Sequence, residues 1–284
     1  MTGASDWRAR VGDNWAEERR RTDRSFEGLD PHLIAAILAV APERGRALDI
    51  GCGAGATALA VAAERPDLRI VGVDLSTALA AVARERSADL PNVDFVVGDA
   101  LDAADSGAAF DLMFSRHGVM FFDDPPAAFA RLHDACAPGA AIVFSCFRAR
   151  SQNGWAIEIA AALGLPPTSD CGLRGGPGPF AFADHEAVQA MLADAGWTGI
   201  AATPIDYAYR AGGGADPVGD AVSFFGRIGP AASAIAAAPE RERDAMHAAL
   251  ARICEARLND GVVDFPAAAW LWSARASRRR SNQT

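Results

Sequence analysis

The sequence predicts an α/β fold: a parallel sheet with helices on both faces. Three observations carry that reading. Between residues 37 and 147, short apolar runs alternate with longer alanine-rich or amphipathic stretches. The short runs are apolar at consecutive positions, as strands buried on both faces must be. The first run ends in a glycine turn, Gly51-Cys52-Gly53-Ala54-Gly55, that opens directly into a helical stretch.

The elements follow in order. Residues 1–36 read as an N-terminal helical segment, polar and arginine-rich, with Trp7, Trp15 and Phe26 as isolated aromatics. From Glu17 to Arg24, opposite charges recur three and four positions apart, which supports a helix. Two readings stay open for it: a solvated helix whose aromatics pack on the core, or a lid over a ligand. Pro31 to Val40 is apolar and helix-like. Residues 37–147 form the predicted core. Its first strand ends at Ile50, and a helix from about Gly55 to Glu64 stops before Pro66. Ile70 to Asp74 is the second strand, Ser76 caps the next helix, and Asn92 to Val97 is the third strand. Ala109 to Ser115 is the fourth. Asp124 then caps a helix with Pro125 at its first position, and Pro138-Gly139 turns the chain into a strand over Ala141 to Phe147.

Beyond the core, residues 148–184 are rich in Gly and Pro and contain Asn153, Trp155 and the loop from Cys171 to Phe180. A long insertion after a strand end is often a binding loop, so it is assigned to the substrate side; a loop with no specific contact is its alternative. Residues 185–277 complete the sheet. Asp184 caps a helix ending at Gly196, Trp197 to Tyr209 reads as a strand, and Pro266 to Ser273 reads as the last one. Between them lies a helical insertion over 212–258, with Phe224 and Phe225 expected in the pocket wall. Residues 278–284 read as a solvated tail.

The chemistry concentrates at strand ends. A helix that starts at a glycine turn presents unpaired N–H groups and the positive end of its dipole. Gly51 and Gly53 let backbone approach a ligand closely. Asp74 closes the second strand, where a carboxylate can accept from a ribose diol. Gly51-x-Gly53-x-x-Ala56 also fits the relaxed dinucleotide fingerprint. Asp49 argues against that ligand, because its carboxylate would lie beside a pyrophosphate. A ligand with an ammonium or sulfonium next to its carboxylate suits Asp49 better, and S-adenosylmethionine is one.

Four segments carry a more specific resemblance. Leu48-Asp49-Ile50-Gly51-Cys52-Gly53-Ala54-Gly55, Val73-Asp74-Leu75-Ser76, Val97-Gly98-Asp99-Ala100 and Phe110-Asp111-Leu112-Met113-Phe114-Ser115 occur in that order. Together they resemble the motifs of class I S-adenosylmethionine-dependent methyltransferases. The flanks, including Gly178 to Asp184 and Ala268 to Leu271, resemble a bacterial small-molecule subgroup often labelled ubiquinone-biosynthesis-like. The resemblance implies a Rossmann-like, seven-stranded, mostly parallel sheet with an antiparallel last strand and a helical and loop lid. It implies S-adenosyl-L-methionine as cofactor, S-adenosyl-L-homocysteine as product, and a methyl group passed to a small, apolar or aromatic acceptor. Asp74 and Leu75 would meet the ribose, and Gly98, Asp99 and Ala100 the adenine. Asp49, Gly51, Cys52 and Gly53 would meet the methionine portion, with Trp15 as cover and Arg21 on its carboxylate. Ser115 and Arg116 would line the methyl side. His117 is the candidate base, since imidazole titrates in a useful range; pocket lining and a packed histidine are its other readings. Trp155, Phe180, Phe224 and Phe225 would form the acceptor pocket. Tyr207, Tyr209 and Arg174 are weaker candidates, and His185 is expected at the surface. The alternatives to an enzyme of this class are a non-catalytic S-adenosylmethionine-binding protein and a nicotinamide-dinucleotide reductase.

Composition narrows the partners. A net charge of −9 argues against nucleic acid or an anionic membrane as partner. The chain has no lysine, which excludes a lysine Schiff base. The five cysteines show no C-x-x-C pair, so no metal site is expected and a reducing, cytoplasmic setting is. Residues 1–7 show no apolar leader, and no apolar run reaches membrane length.

Overall fold

Ala47 to Ile50, Leu112 to Ser115 and Ala140 to Phe147 are each buried without a break. Successive side chains on a strand point to opposite faces, so each of these runs is covered on both sides. They are the centre of the sheet. The computed structural model describes residues 7–277 apart from 9, 106, 108, 167–171 and 174, so Cys171, Arg174 and the 278–284 tail lie outside the described residues.

The chain opens with α1 (Arg10–Glu17), α2 (Arg19–Phe26) and α3 (Asp30–Val40). The core continues as β1 (Gly45–Ile50), α4 (Ala56–Glu64), β2 (Leu68–Asp74), α5 (Thr77–Arg86), β3 (Val93–Val97) and α6 (Ala100–Ala104). β4 (Phe110–Arg116), α7 (Pro125–Asp134) and β5 (Cys136–Phe147) follow, then α8 (Gly154–Ala162), α9 (His185–Asp194) and β6 (Trp197–Gly212). The chain closes with α10 (Pro217–Arg227), α11 (Gly229–Ala237), α12 (Glu240–Ala256), β7 (Leu258–Asn259) and β8 (Val262–Ala276).

The sheet order is β3-β2-β1-β4-β5-β8-β6. β1 to β5 run parallel, and β8 lies antiparallel between β5 and β6. The expected Rossmann-like sheet with an antiparallel last strand is therefore present. It gains a two-residue eighth strand: β7 pairs with β8 across Asp260-Gly261, both at positive φ (47° and 77°). That dipeptide is the preferred loop of a tight hairpin, a signal that the helical reading through Leu258 passed over. Ser76, Asp124 and Asp184 cap α5, α7 and α9 as their positions predict, each accepting from a backbone N–H three residues on. Three helices were not expected: α6, α8 and α11.

α8 shows how the segment after β5 is fixed. Asn153 is fully buried at its start. Its Nδ2 donates to the carbonyls of Arg148 (3.3 Å) and Ala149 (3.1 Å). Its Oδ1 accepts from Trp155 Nε1 (3.2 Å) and from the Ala268 N–H of β8 (3.0 Å). One amide thus joins β5, α8 and β8. Asn153→Ala removes a hydrogen-bond partner from four groups, two of them the buried Trp155 Nε1 and the Ala268 N–H, and we expect it to lower unfolding free energy by about 2–4 kcal/mol in urea melts followed by tryptophan fluorescence. A loss below about 0.5 kcal/mol would show that the junction carries no stability.

Candidate functional site

β1 and β4 are neighbours in the sheet, but the chain leaves them toward opposite edges. A crevice opens outside their carboxyl ends, where ligands of such sheets bind. A cavity of about 500 Å³ occupies it, within the usual range for small-molecule sites.

The glycine turn forms one end. Gly51 takes φ 64°, and a Cβ there would stand 3.1 Å from the Gly118 Cα, so the turn and the loop after β4 touch backbone to backbone. Gly53 takes φ 53°, yet a Cβ there would meet nothing within 4 Å. Its side faces open cavity, where a ligand can lie against the main chain. Asp74 Oδ2 accepts from the Gly53 N–H (2.8 Å) and Oδ1 from the Ser76 N–H (2.8 Å). Each oxygen keeps a further lone pair toward the cavity. Asp49 is 1 % exposed, and neither of its carboxylate oxygens has a hydrogen-bond partner among the described residues. Burial pushes its pKa up to about 7, against the pull of the Arg116 charge. A buried, unpartnered carboxylate on a cavity wall is a place for a cation.

The loop after β4 behaves differently from its sequence reading. Ser115 was expected on the methyl side but lies inside the sheet. Its Oγ donates to the Ile50 carbonyl (2.7 Å) and accepts from the Gly118 N–H (3.1 Å), stitching β1 to β4. Arg116 lines the cavity, but its guanidinium is engaged by Asp23 (2.9 Å) and Asp30 (2.9 Å) and lies over the Phe26 ring. His117 lines the cavity at φ 61°, with Nδ1 2.9 Å from Ser145 Oγ. Burial and the Arg116 charge pull its pKa down to about 3. The imidazole is therefore neutral at physiological pH and too weak a base for the role first considered.

The N-terminal helices close over the crevice. Trp7, Trp15, Asp23 and Phe26 all line it. Arg21, expected on the cofactor carboxylate, does not: its guanidinium is held by Glu18 (2.6 Å) and by Asp220 of α10 (2.6 Å). Asp220 also takes Arg24 (2.6 Å), and Asp23 takes Arg86 of α5 (3.0 Å). The arginines of α2 thus attach the cover to its surroundings. Gly98, Asp99 and Ala100 stand beside the β2 end, through a bond from Gly98 N–H to the Asp74 carbonyl (2.9 Å), without lining the cavity. Asp99 caps α6 instead, accepting from the Leu101 N–H (2.9 Å).

The far end of the cavity is aromatic. Trp155 stacks on Tyr209 at 5.4 Å, Phe147 approaches Trp155 at 5.0 Å, and Phe224 stacks on Tyr209 at 6.3 Å. Phe225 also lines this chamber, while Phe180 stands behind the wall, stacked on Trp155 at 5.8 Å. Burial lifts the Tyr209 hydroxyl to about 12 and pushes the Tyr207 hydroxyl well above its ordinary range, so neither serves as a base near neutrality. His185 is half-buried rather than exposed, stacked on Trp272 at 5.0 Å. Tyr209, Phe26 and Phe147 gain their place through neighbours far away in sequence; only the same-side placement of Tyr207 and Tyr209 could have pointed to one of them. Among the described residues, no group of His, Cys, Asp and Glu is arranged to hold a metal, and no helix is long and apolar enough to cross a membrane.

Comparison with known proteins agrees with this layout. Residues 47–139 match a family model described as a methyltransferase domain. The chain is 28% identical over 161 residues to the trans-aconitate 2-methyltransferase of Variovorax paradoxus, which covers 57% of this chain and 58% of that protein. It spans between 29% and 58% of the length of the first curated relatives it matches. The solved [4+2]-cyclase SpnF superposes with a TM-score of 0.56 at 19% identity, covering 97% of both chains. Phosphoethanolamine N-methyltransferase 2 of Haemonchus contortus, solved with S-adenosylhomocysteine, superposes at 0.53 with 18% identity, over 95% of this chain and 61% of that one. These two likenesses are of fold. With the four strand-end motifs in their expected places on this sheet, residues 47–139 form a methyltransferase domain with the layout of class I, S-adenosylmethionine-dependent enzymes.

Proposed function

We propose that this chain transfers the methyl group of S-adenosylmethionine to a small, apolar or aromatic acceptor. The observation that carries the proposal is one continuous cavity with an unpartnered carboxylate and open glycine backbone at one end and stacked aromatics at the other. The cofactor fits the first end: Asp49 meets its ammonium, the bare side of Gly53 its methionine portion, and Asp74 its ribose hydroxyls. When bound, it supplies a sulfonium methyl for in-line displacement, leaving S-adenosylhomocysteine. The residues around it contribute position and dryness. Trp15 and Phe26 cover the crevice, and the chamber of Phe147, Trp155, Tyr209 and Phe224 holds an acceptor by apolar contact. Among the described residues no lining carboxylate lies beside those aromatics, so the acceptor brings its own nucleophile rather than relying on a positioned base. A dinucleotide fits less well, because its pyrophosphate would stand against Asp49.

Titration calorimetry tests the cofactor end. We expect S-adenosylhomocysteine to bind in the micromolar range and NADH not to bind; the reverse would sink the assignment. Asp74→Ala should weaken S-adenosylhomocysteine roughly ten-fold or more. A binding protein without catalysis would pass this test, and a screen of acceptors with labelled S-adenosylmethionine separates it from an enzyme.

Gly53→Ala should cost only about 1–2 kcal/mol of stability, since space is open and only the positive φ is strained. The same methyl occupies the ligand's side of the turn, so the affinity for S-adenosylhomocysteine should fall at least about ten-fold. If a folded Gly53→Ala protein binds like wild type, the ligand does not lie there.

Asp49 makes binding depend on pH. Its pKa of about 7 in the free protein is raised, with Arg116 and Asp74 as the charges facing it. A bound ammonium lowers it again, so binding below that pH expels a proton. The association constant should rise by up to about ten-fold per unit between about pH 5 and pH 7, and then level off. Asp49→Asn should flatten that rise, and a slope that survives the substitution assigns the proton elsewhere.

A further inference from the structure

His117 and Ser145 form a pair whose hydrogen bonding has one consistent solution. His117 sits at a positive φ, and its backbone N–H donates to the Ser145 carbonyl (3.1 Å), which fixes the residue against β5. Its ring packs edge-on to Phe147 at 4.2 Å and beside Phe26 at 4.9 Å. Neighbours on two elements thus hold the imidazole, so its nitrogens have fixed places.

Ser145 is fully buried, and among the described residues its hydroxyl has one partner, His117 Nδ1. A buried hydroxyl carries a single proton that needs an acceptor. Ser145 therefore donates to Nδ1, which uses its lone pair, and the proton of the neutral ring is on Nε2. The opposite tautomer would have Nδ1–H donate to Ser145 and leave the hydroxyl proton buried with no acceptor, at a cost of about 1–3 kcal/mol. Nε2 is itself buried and has no partner among the described residues, in a residue that lines the cavity. An N–H donor left unmatched in a cavity-lining residue can be completed by a ligand atom once the ring meets a bound molecule.

We infer that His117 is a fixed, neutral N–H donor to the acceptor, that Ser145 is the positioning residue that sets its tautomer, and that the acceptor presents an oxygen lone pair, as a carbonyl or phenolate, on an aromatic or apolar body. The inference rests on the reading of the aromatic chamber as the acceptor site. It reverses the expected role of the histidine, which gives a hydrogen bond and takes no proton. The depressed pKa of the ring agrees, since a donor of this kind must stay neutral across the working range. For a phenolate acceptor, such a bond stabilises the ionised nucleophile.

Two measurements test it, and the first needs neither cofactor nor acceptor. Long-range proton–nitrogen correlation spectra of protein labelled at its five histidines report each tautomer directly. His117→Asn identifies the signal by its loss, and asparagine tolerates the left-handed backbone at this position. We expect His117 as the Nε2–H form, unchanged between about pH 5 and pH 8. Ser145→Ala should move it to a mixture of tautomers. An Nδ1–H form or a protonated ring in that range overturns the inference.

The second measurement uses 4-nitrophenol as probe, added to protein saturated with S-adenosylhomocysteine and read by its phenolate absorbance. Wild type should bind the phenolate roughly ten-fold more tightly than His117→Asn. Equal affinity of the two overturns the acceptor class. Failure of S-adenosylhomocysteine to bind would instead count against the proposed function, and the tautomer result would stand apart from it.

Discussion

The contact between the carboxyl ends of β1 and β4 is the constraint on which the site depends. These strands lie side by side, but their connections diverge, β1 toward β2 and β3 and β4 toward β5. No crossover helix can cover the gap between them, so a crevice is unavoidable. Ser115 holds its floor by joining the Ile50 carbonyl to the Gly118 N–H. The close approach of Gly51 to Gly118 then leaves no room for side chains between the two loops. The two sides of this seam each bring a buried polar side chain to the cavity wall: Asp49 from β1 and His117 from the end of β4.

The cover over the seam is held differently from the core. α2 buries only Ser25 and Phe26, so apolar contact contributes little to its docking. Charge does the rest. Arg116 binds Asp23 and Asp30, Asp23 also binds Arg86, and Asp220 binds both Arg21 and Arg24. Partly buried ion pairs contribute little net stability, because desolvation offsets much of their attraction. They are directional, and a network that ties α2 to β4, α5 and α10 sets where the cover lies. Arg116 and Arg21 are thereby used in architecture, and neither is left to hold a ligand.

Two titrating groups in one cavity are pushed to opposite ends of the scale by the same burial. Desolvation disfavours the charged form of each, which raises the Asp49 carboxyl to about 7 and lowers the His117 imidazole to about 3. The carboxyl remains responsive to a cation at neutral pH, whereas the imidazole is silent there. One end of the cavity is therefore tuned to a charged ligand, and the other is a largely aromatic chamber in which His117 is neutral.

What the sequence determined by itself was the local grammar of the core. Strands buried on both faces, the glycine turn, the capping residues Ser76, Asp124 and Asp184, and the acids at strand ends depend on neighbours within a few positions, and all were legible. From these, and from the resemblance they carry, the fold class and cofactor class followed. The tertiary structure decided which of those residues face the cavity. Ser115 and Asp99 have side chains short enough to bond nearby backbone, and packing turned them inward to do so. Arg21 found Asp220, a partner 199 positions away. His117 found Ser145 across a strand pairing, and Asn153 found the backbone of β8. Contacts of that kind leave no periodic trace in sequence, because they exist only once sheet order and register have brought distant segments together.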